Sequence, residues 1–465
     1  MPDVHVVVLA AGRGTRMKSV YPKVLHRVGG APMIARVLTQ ASRLSPRSTT
    51  IVVGYGADQV KSALAERPGL TFVLQEPQLG TAHALLCASA ALGGATGTVV
   101  LLSGDVPLLS AATLAALVDR HLAARAAATI VTAVMQDPTG YGRIVRTTEG
   151  GIGRIVEERD ASPAERDIRE INGGVYAFDL DGLFDALKAI ATNNAQNEYY
   201  LPDLVAVLRA RGRVVETITV PRVEEILGIN SRVELAAVSR LVRLAKTEEL
   251  MAAGVTIEDP ATTYIDPDVM VGPDTIIHPG VALEGKTTVG SACEIHGSVR
   301  IVDCSLGDRV VVLSNSVLTG ARVEDAAQVG PFAHLRKDSA VGPGAKVGNF
   351  VEMKKTSLGQ GSKSMHLSYL GDAVIGSNVN IGAGTITCNY DGVSKRTTTI
   401  EDGAFIGSDT QLIAPVTVGK GAYVGSGTTV REDVPPGALA VSAGRQRNVE
   451  GWVEEKKKRK KRENN

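Results

Sequence analysis

Aromatic residues are scarce, making up 4% of the 465 residues with a single tryptophan. The apolar interior therefore has to be built from Val, Ile, Leu and Ala. The scarcity also argues against a surface of interleaved aromatic and basic side chains, the kind that stacks single-stranded bases. Charge of one sign is not in excess: 50 Lys and Arg stand against 49 Asp and Glu. A protein held mainly by a nucleic-acid backbone would need a strong basic surplus. The four cysteines, Cys87, Cys293, Cys304 and Cys388, form no CxxC pair. They provide neither a zinc pattern nor a secreted disulfide framework. No apolar run is long enough to span a bilayer. The run at residues 6–11 is short and lacks a basic leader, so it is not a signal peptide. The chain reads as soluble and cytoplasmic, without nucleic acid or membrane insertion among its expected partners.

What is abundant is aliphatic residues and turns: 44% of the chain is hydrophobic and 50 residues are glycine. A chain of this length predicts two or more domains. Over residues 1–229, short Val/Leu/Ile runs at 4–9, 50–53, 71–74 and 98–102 alternate with Ala- and Leu-rich stretches such as 83–92 and 111–125. Runs of that type suit strands buried on both faces, and the βαβα order predicts an α/β domain with a mostly parallel, Rossmann-like sheet. Residues 230–252 are good helix formers and read as a linker helix, with Gly254 as its stop signal.

From residue 253 to 441 the period changes. Ile265, Val271, Ile277, Leu283, Val289, Ile295 and Ile301 fall every sixth residue; the register resumes at Val323 to Val347, at Ile375 and Ile381, and from Ile400 to Val430. Neither a helix nor a hairpin sheet has a period of six. Hexapeptide repeats build a parallel β-helix in which each aliphatic points into a shared core. Residues 382–399 are long enough to leave the coil as a loop, and loops on rigid scaffolds commonly carry function. Residues 442–465 form a tail whose end bears seven basic side chains and reads as solvated and disordered.

The first strand runs directly into LAAGRGTRM at residues 9–17, followed by Pro22 and Lys23. Glycines let a backbone approach a phosphate chain, and amides at a strand-to-helix turn donate to its oxygens. Met17 stands where the third glycine of a dinucleotide fingerprint would be, and no GK[ST] makes the segment a P-loop. Arg16 and Lys23 are two cations placed to neutralise a triphosphate. These residues resemble the signature of the sugar-phosphate nucleotidylyltransferases.

The resemblance implies in-line attack of a sugar 1-phosphate on the α-phosphorus of a nucleoside triphosphate, aided by cations, amides and Mg2+. It implies that Leu9, Ala10, Ala11, Gly12 and Gly14 hold the nucleotide, that Arg16 steadies the departing pyrophosphate and that Lys23 contacts the reacting phosphates. Gln75, Gly80 and Thr81 look like the base-reading segment of the uridylyl members, a Gln amide being able to satisfy a donor and an acceptor on uracil. Asp105 and Asn230 match the family's metal pair, both hard oxygen donors. Taken alone, Asp105 would read as a turn residue or cap, and Asn230 as the cap of the linker helix. Gly142, Glu157 and Asn172 correspond to the sugar-binding positions.

Polar residues crowd one stretch of the β-helix: Lys354-Lys355, His366, Tyr369, Asn380 and Thr387 to Asp391. Neutral His366 is suited to take a proton from an amine as it attacks an acyl group. Both halves together resemble the bacterial family that joins glucosamine-1-phosphate acetyltransferase to N-acetylglucosamine-1-phosphate uridylyltransferase, most specifically at VEMKK (351–355) and GAGTITCNYDG (382–392). The resemblance implies His366 as general base, oriented by Glu352. It implies Arg336, Lys354, Tyr369 and Asn380 as sugar-phosphate contacts. Asn389 and Tyr390 match acetyl-CoA contacts, Asn389 also facing the oxyanion, and Ala383, Ser408 and Ser426 line the coenzyme's path. Three positions depart from the family pattern. Ser426 replaces an Ala, Lys337 stands where Pro is common, and Ala443 occupies the place of an arginine for which Arg445 is the substitute. A homotrimer and a left-handed coil are implied in the same way. The alternative is a nucleotidylyltransferase whose β-helix serves only assembly.

Overall fold

The short aliphatic runs pair side by side. In the computed structural model, which describes residues 3–442, 444 and 446–463, they form a nine-stranded sheet. Its strands are β1 (Val4–Ala10), β2 (Ser48–Val53), β3 (Leu70–Leu74), β4 (Thr98–Ser103), β5 (Ala128–Val134), β6 (Arg143–Arg146), β7 (Ile152–Val156), β8 (Glu170–Asp179) and β9 (Val215–Thr219). The main order is β9-β5-β8-β4-β1-β2-β3, with the β6–β7 hairpin attached to β8. All neighbours from β4 to β3 are parallel, as are β5 and β9. The antiparallel intruder is β8, between β4 and β5. The continuous apolar run of β1 follows from burial on both faces: Val6 and Val8 enter one core, and Val7 enters the other.

The chain divides into two compact units, Met1–Val242 and Arg243–Asn465. The helix Arg232–Ala252 runs across this division. Val238 and Val242 pack with Val28, Met33 and Ile229, whereas Leu250 packs with Val255 in the core of the second unit.

That second unit is a coil of short parallel strands in three ladders of eleven, ten and nine. One aliphatic per side points inward, so Ile277, Ile295, Val312, Val329 and Val347 succeed one another in a single column. Buried hydroxyls satisfy the corners: Thr275 donates to the Gly290 carbonyl at 2.9 Å and accepts from the Cys293 amide at 3.1 Å. Cys304 fills an equivalent position, its sulfur accepting from the Ala321 amide.

The interruptions in the six-residue register are not breaks in the coil. Ile301 pairs with Leu318 and Leu306 with Val323, so a side one residue short is absorbed at a corner and the ladder continues. The excursion is also shorter than expected. Ile386–Cys388 stays in the ladder, pairing with Gln411–Ile413, and the chain leaves it only over residues 389–397. A Tyr390–Lys395 bridge closes that loop.

At the end of the chain Trp452–Glu463 is helical and fully solvated, where sequence composition predicts a solvated but disordered tail. The segment lacks Gly and Pro, and its acidic first turn and basic last turn complement the helix dipole. Lys456 also lies over the Trp452 ring.

Leu318 is fully buried in the coil, whereas its neighbour Thr319 faces outward. Leu318→Ala is expected to lower the stability of the second unit by about 2–5 kcal/mol, and Thr319→Ala to stay within about 0.5 kcal/mol. Chemical denaturation followed by circular dichroism distinguishes the two outcomes.

Candidate functional site

In the first unit, the carboxyl ends of β1 and β4 open into a cleft of about 420 Å³. Open α/β sheets place ligands at this end of their strands. Leu9, Ala10, Ala11, Gly12 and Gly14 line it, together with Lys23, Gln75, Gly80, Thr81 and Asp105. Two glycines are required by geometry. Gly14 has φ +62° and a Cβ there would sit 2.7 Å from the Lys23 Cβ; Gly80 has φ +110° and a Cβ would meet the Tyr199 backbone.

Lys23 is the organising cation. Its ammonium is hydrogen-bonded to the Asp105 carboxylate and, at 3.0 Å, to the Asn230 side-chain oxygen. Asn230 does not cap the linker helix. Ser231 and Glu234 do: the Glu234 amide donates to Ser231 Oγ, and the Ser231 amide donates to Glu234 Oε2 at 2.8 Å. The Asn230 carboxamide is thereby left to face Lys23 and Asp105. An Asp and an Asn oxygen converging on one cation form the hard-donor pair that suits Mg2+.

Other expected residues take different places. Arg16 is exposed on the 3-10 turn Thr15–Met17, outside the cleft walls; Arg13 lines the cleft instead and lies 5.6 Å over the Tyr55 ring. Gln75 is buried, and its Nε2 donates to the Gly80 carbonyl at 2.9 Å, so it braces the segment that carries Gly80 and Thr81. Gln78 is exposed on the same wall, its Nε2 lying 2.6 Å from where a Cβ on Gly54 would stand. Gly142, Glu157 and Asn172 are neighbours: the Asn172 amide donates to the Gly142 carbonyl at 2.8 Å, and a Cβ on Gly142 would lie 3.2 Å from Glu157 Oε1. Tyr141, next to Gly142, feels the charge of Asp105. Its phenol pKa is raised by burial first and then by the negative charge of Glu234, the Gly228 backbone hydrogen bond opposing them and Asp105 adding a smaller push upward.

Burial pushes the Glu157 carboxyl above the usual carboxylate range, with Asp160 and Asp203 adding to the shift and Arg143 opposing it. A carboxyl raised in the folded state costs stability once pH climbs through the ordinary range toward the folded value, and costs nothing when both states are protonated. Glu157→Gln is therefore expected to raise the thermal midpoint of the first unit at neutral pH. The gain should vanish as pH falls below the ordinary Glu range, which a calorimetric pH series would read.

In the second unit, Asn349 pairs with His366 across the ladder, and Ala383, Ser408 and Ser426 occupy equivalent positions in the next three coils. The corner bonds Asp409 N to Ala383 O and Gly427 N to Ser408 O hold this column together. At the coil spacing of about 4.8 Å, Ser426 lies roughly 14 Å along the axis from His366. His366 is exposed, and its Nδ1 is 2.8 Å from the Asn349 side-chain oxygen. A ring nitrogen facing a carboxamide oxygen is the donor, which leaves Nε2 with its lone pair outward.

The side chain hydrogen-bonded to His366 is therefore Asn349 and not Glu352. Glu352 is engaged by Arg336, whose Nη1 donates to it at 2.8 Å, and the carboxylate raises the Arg336 pKa. Nothing in the residue types singled out Asn349; only the pairing of adjacent coils places it against His366.

Lys354 has its pKa lowered mainly by Lys395, then by burial and Arg336. Asp372 opposes the shift only in part, and crowded cations of this kind favour a bound dianion. Lys395 is a further sequence omission, brought in by the 389–397 loop. Tyr369 Oη and Asn389 Nδ2 both lie over Gly371, within 2.5 and 2.8 Å of where a Cβ would stand. Asn389 is buried and its Nδ2 donates one hydrogen to Asp372 at 2.5 Å, which braces the loop; a carboxamide nitrogen carries a second N–H. Tyr390 is exposed, its hydroxyl donating to the Gly392 carbonyl, and Asn380 sits mid-ladder between Lys363 and Phe405. Arg445, expected on the coenzyme path, and Ala443 lie outside the described residues.

Residues 6–158 match the MobA-like NTP transferase domain family, and residues 397–432 match the bacterial transferase hexapeptide family. Over nearly the full length, the chain is 51% identical to the bifunctional protein GlmU of Syntrophotalea carbinolica, with 97% of each chain covered. It is 49% identical to that of Exiguobacterium sp., over 96% of this chain and 98% of the relative, and 48% identical to that of Geobacillus thermodenitrificans, over 98% and 99%. The chain belongs to the GlmU family.

As a GlmU-family protein it is a bifunctional transferase of UDP-N-acetylglucosamine synthesis, with a nucleotidyltransferase domain followed by a left-handed β-helix of hexapeptide repeats. Small-molecule substrates follow from that membership. Among the described residues, no helix is long and apolar enough to cross a membrane. If Asn349 holds His366 in its tautomer, Asn349→Ala should lower kcat for acetyl transfer with little change in KM. Nitrogen NMR should show the His366 ring losing its single-tautomer signature.

Proposed function

We propose that the β-helix transfers acetyl from acetyl-CoA to glucosamine 1-phosphate, and that the N-terminal cleft then transfers uridylyl from UTP to the N-acetylglucosamine 1-phosphate so formed. The observation that carries the first step is the His366 column. Nδ1 is occupied by Asn349, so Nε2 takes the proton from the substrate amine as its nitrogen attacks the thioester carbonyl carbon, and coenzyme A leaves as the thiolate. Arg336, Lys354 and Lys395 receive the sugar phosphate, Tyr369 and Asn380 orient it, and Asn389 and Tyr390 hold the loop against the coenzyme. Ala383, Ser408 and Ser426 keep the side of the column narrow for the coenzyme's extended arm.

In the cleft, the sugar phosphate oxygen attacks the α-phosphorus of UTP and pyrophosphate leaves in line. Asp105 and Asn230 would hold Mg2+, which supplies neutralisation of phosphate charge when bound. Lys23 neutralises the reacting phosphates and positions Asp105. The backbone from Leu9 to Gly14 follows the triphosphate, with Arg13 on the cleft wall and Arg16, on the following turn, steadying the departing pyrophosphate. The segment from Gln75 to Thr81 faces the base, while Gly142, Glu157 and Asn172 face the sugar. A cytoplasmic setting supplies UTP and acetyl-CoA.

We also propose a homotrimer. Phe332, Phe350 and Leu367 are each at least half exposed at one corner of successive coils, with the Phe332 and Phe350 rings stacked at 5.5 Å. This apolar stripe adjoins His366 and suits burial against further copies of the chain.

His366→Ala is expected to reduce acetyl transfer by about 10²–10⁴-fold while sparing uridylyl transfer. Asp105→Ala should do the reverse. Mass spectrometry of products from glucosamine 1-phosphate, acetyl-CoA, UTP and Mg2+, with each omitted in turn, checks the order. N-acetylglucosamine 1-phosphate should accumulate without UTP; uridylylation only of supplied N-acetylglucosamine 1-phosphate would leave the β-helix without catalysis.

A further inference from the structure

Far from His366 in the coil, three side chains converge that neither reaction uses. Ile277 pairs with Ile295, which places His278 directly below His296 on successive coils, and the two rings stack with centroids 4.7 Å apart. That separation is the rise of one coil. Glu294 precedes His296 by two residues on the same strand, so both side chains leave the same face while Ile295 points inward. His278 Nε2 lies 3.2 Å from Glu294 Oε1, and His296 Nε2 lies 3.3 Å from the same oxygen.

Those separations are the edges of a tetrahedron. Ligand atoms at about 2.1 Å from a Zn2+-sized ion, at the tetrahedral angle, stand about 3.4 Å apart. Among the described residues this is the group of His, Cys, Asp and Glu side chains whose ligand atoms all come within 4.8 Å of one another. A fourth residue completes the arrangement. Glu258, one coil below, is 2.9 Å from His278 Nδ1 through its carboxylate. A carboxylate on the far nitrogen fixes a histidine's tautomer with Nε2 free, and commonly supports histidines that bind metal.

We propose that His278, His296 and Glu294 form a binding site for a tetrahedral divalent transition metal of the Zn2+ class, with Glu258 orienting His278 and water in the fourth position. Two imidazoles and one carboxylate favour such an ion over Mg2+, which prefers an all-oxygen octahedron. The metal joins adjacent coils near the start of the β-helix. Its role is that of a clasp, since any ligand bound only by the folded state raises stability by mass action.

The test uses the full-length protein, stripped with a chelator and titrated with ZnCl2 in Mg2+-containing buffer by calorimetry. The wild type should bind one more equivalent of Zn2+ than the His278→Asn/His296→Asn double variant, and Glu258→Gln should weaken that equivalent by about 10- to 100-fold. Zn2+ should raise the thermal midpoint of the second unit in the wild type alone. Co2+ should give the intense visible bands of tetrahedral coordination, absent in the double variant. Circular dichroism and unchanged uridylyl and acetyl transfer without Zn2+ establish that the variants are folded. Equal stoichiometry in wild type and double variant, or an octahedral Co2+ spectrum, would overturn the assignment.

Discussion

Parallel backbone pairing between successive coils is the constraint on which the second half of the molecule depends. Each ladder bond sets a residue above its equivalent in the coil below, and the inward aliphatics oppose any slip, because a shift of one residue would turn the core face outward. Chemistry in the coil is consequently organised in columns. Asn349 meets His366, the phenyl rings of Phe332 and Phe350 stack, and His278 lies beneath His296. Residues 17 or 18 apart in the chain thus become nearest neighbours.

The first half solves the same problem with loops. Its sheet presents strand ends, and the cleft groups come from the turn after β1, the turn after β4 and the entry to the linker helix. Lys23 draws these together electrostatically through Asp105 and Asn230. Ionic contacts of this sort are strong when partly shielded from water but are also exchangeable, since a metal ion or a phosphate can take over either side of the contact. A rigid column suits a base that must keep one tautomer, whereas a cationic cleft suits a reaction in which charge moves across several phosphate oxygens.

Both candidate sites hold unfavourable electrostatics. Lys354 and Lys395 face each other with Arg336 close by, and Glu157 is buried among other carboxylates. Such arrangements cost the empty protein stability and are relieved by binding, a trade common at functional sites. The braces around them have no such conflict: Gln75 to Gly80, Ser231 with Glu234, and Asn389 to Asp372 are satisfied within the protein.

Periodicity alone was sufficient to read two architectures from the chain, because burial on both faces of a parallel sheet leaves continuous aliphatic runs and a hexapeptide coil leaves one aliphatic per side. The glycine loop, Lys23 and the polar cluster around His366 stood out as residue types, but the roles assigned to them rested on the family resemblance, since a GxG pair or a lone His is weak evidence by itself. What remained hidden were partners distant in sequence but adjacent in space. Arg13 on the cleft wall, Asn349 beside His366, Lys395 beside Lys354, and the continuity of the coil across its five-residue sides were decided by tertiary structure. Local pattern records which face a residue occupies, but only the stacking of one coil or loop upon another determines which side chains meet.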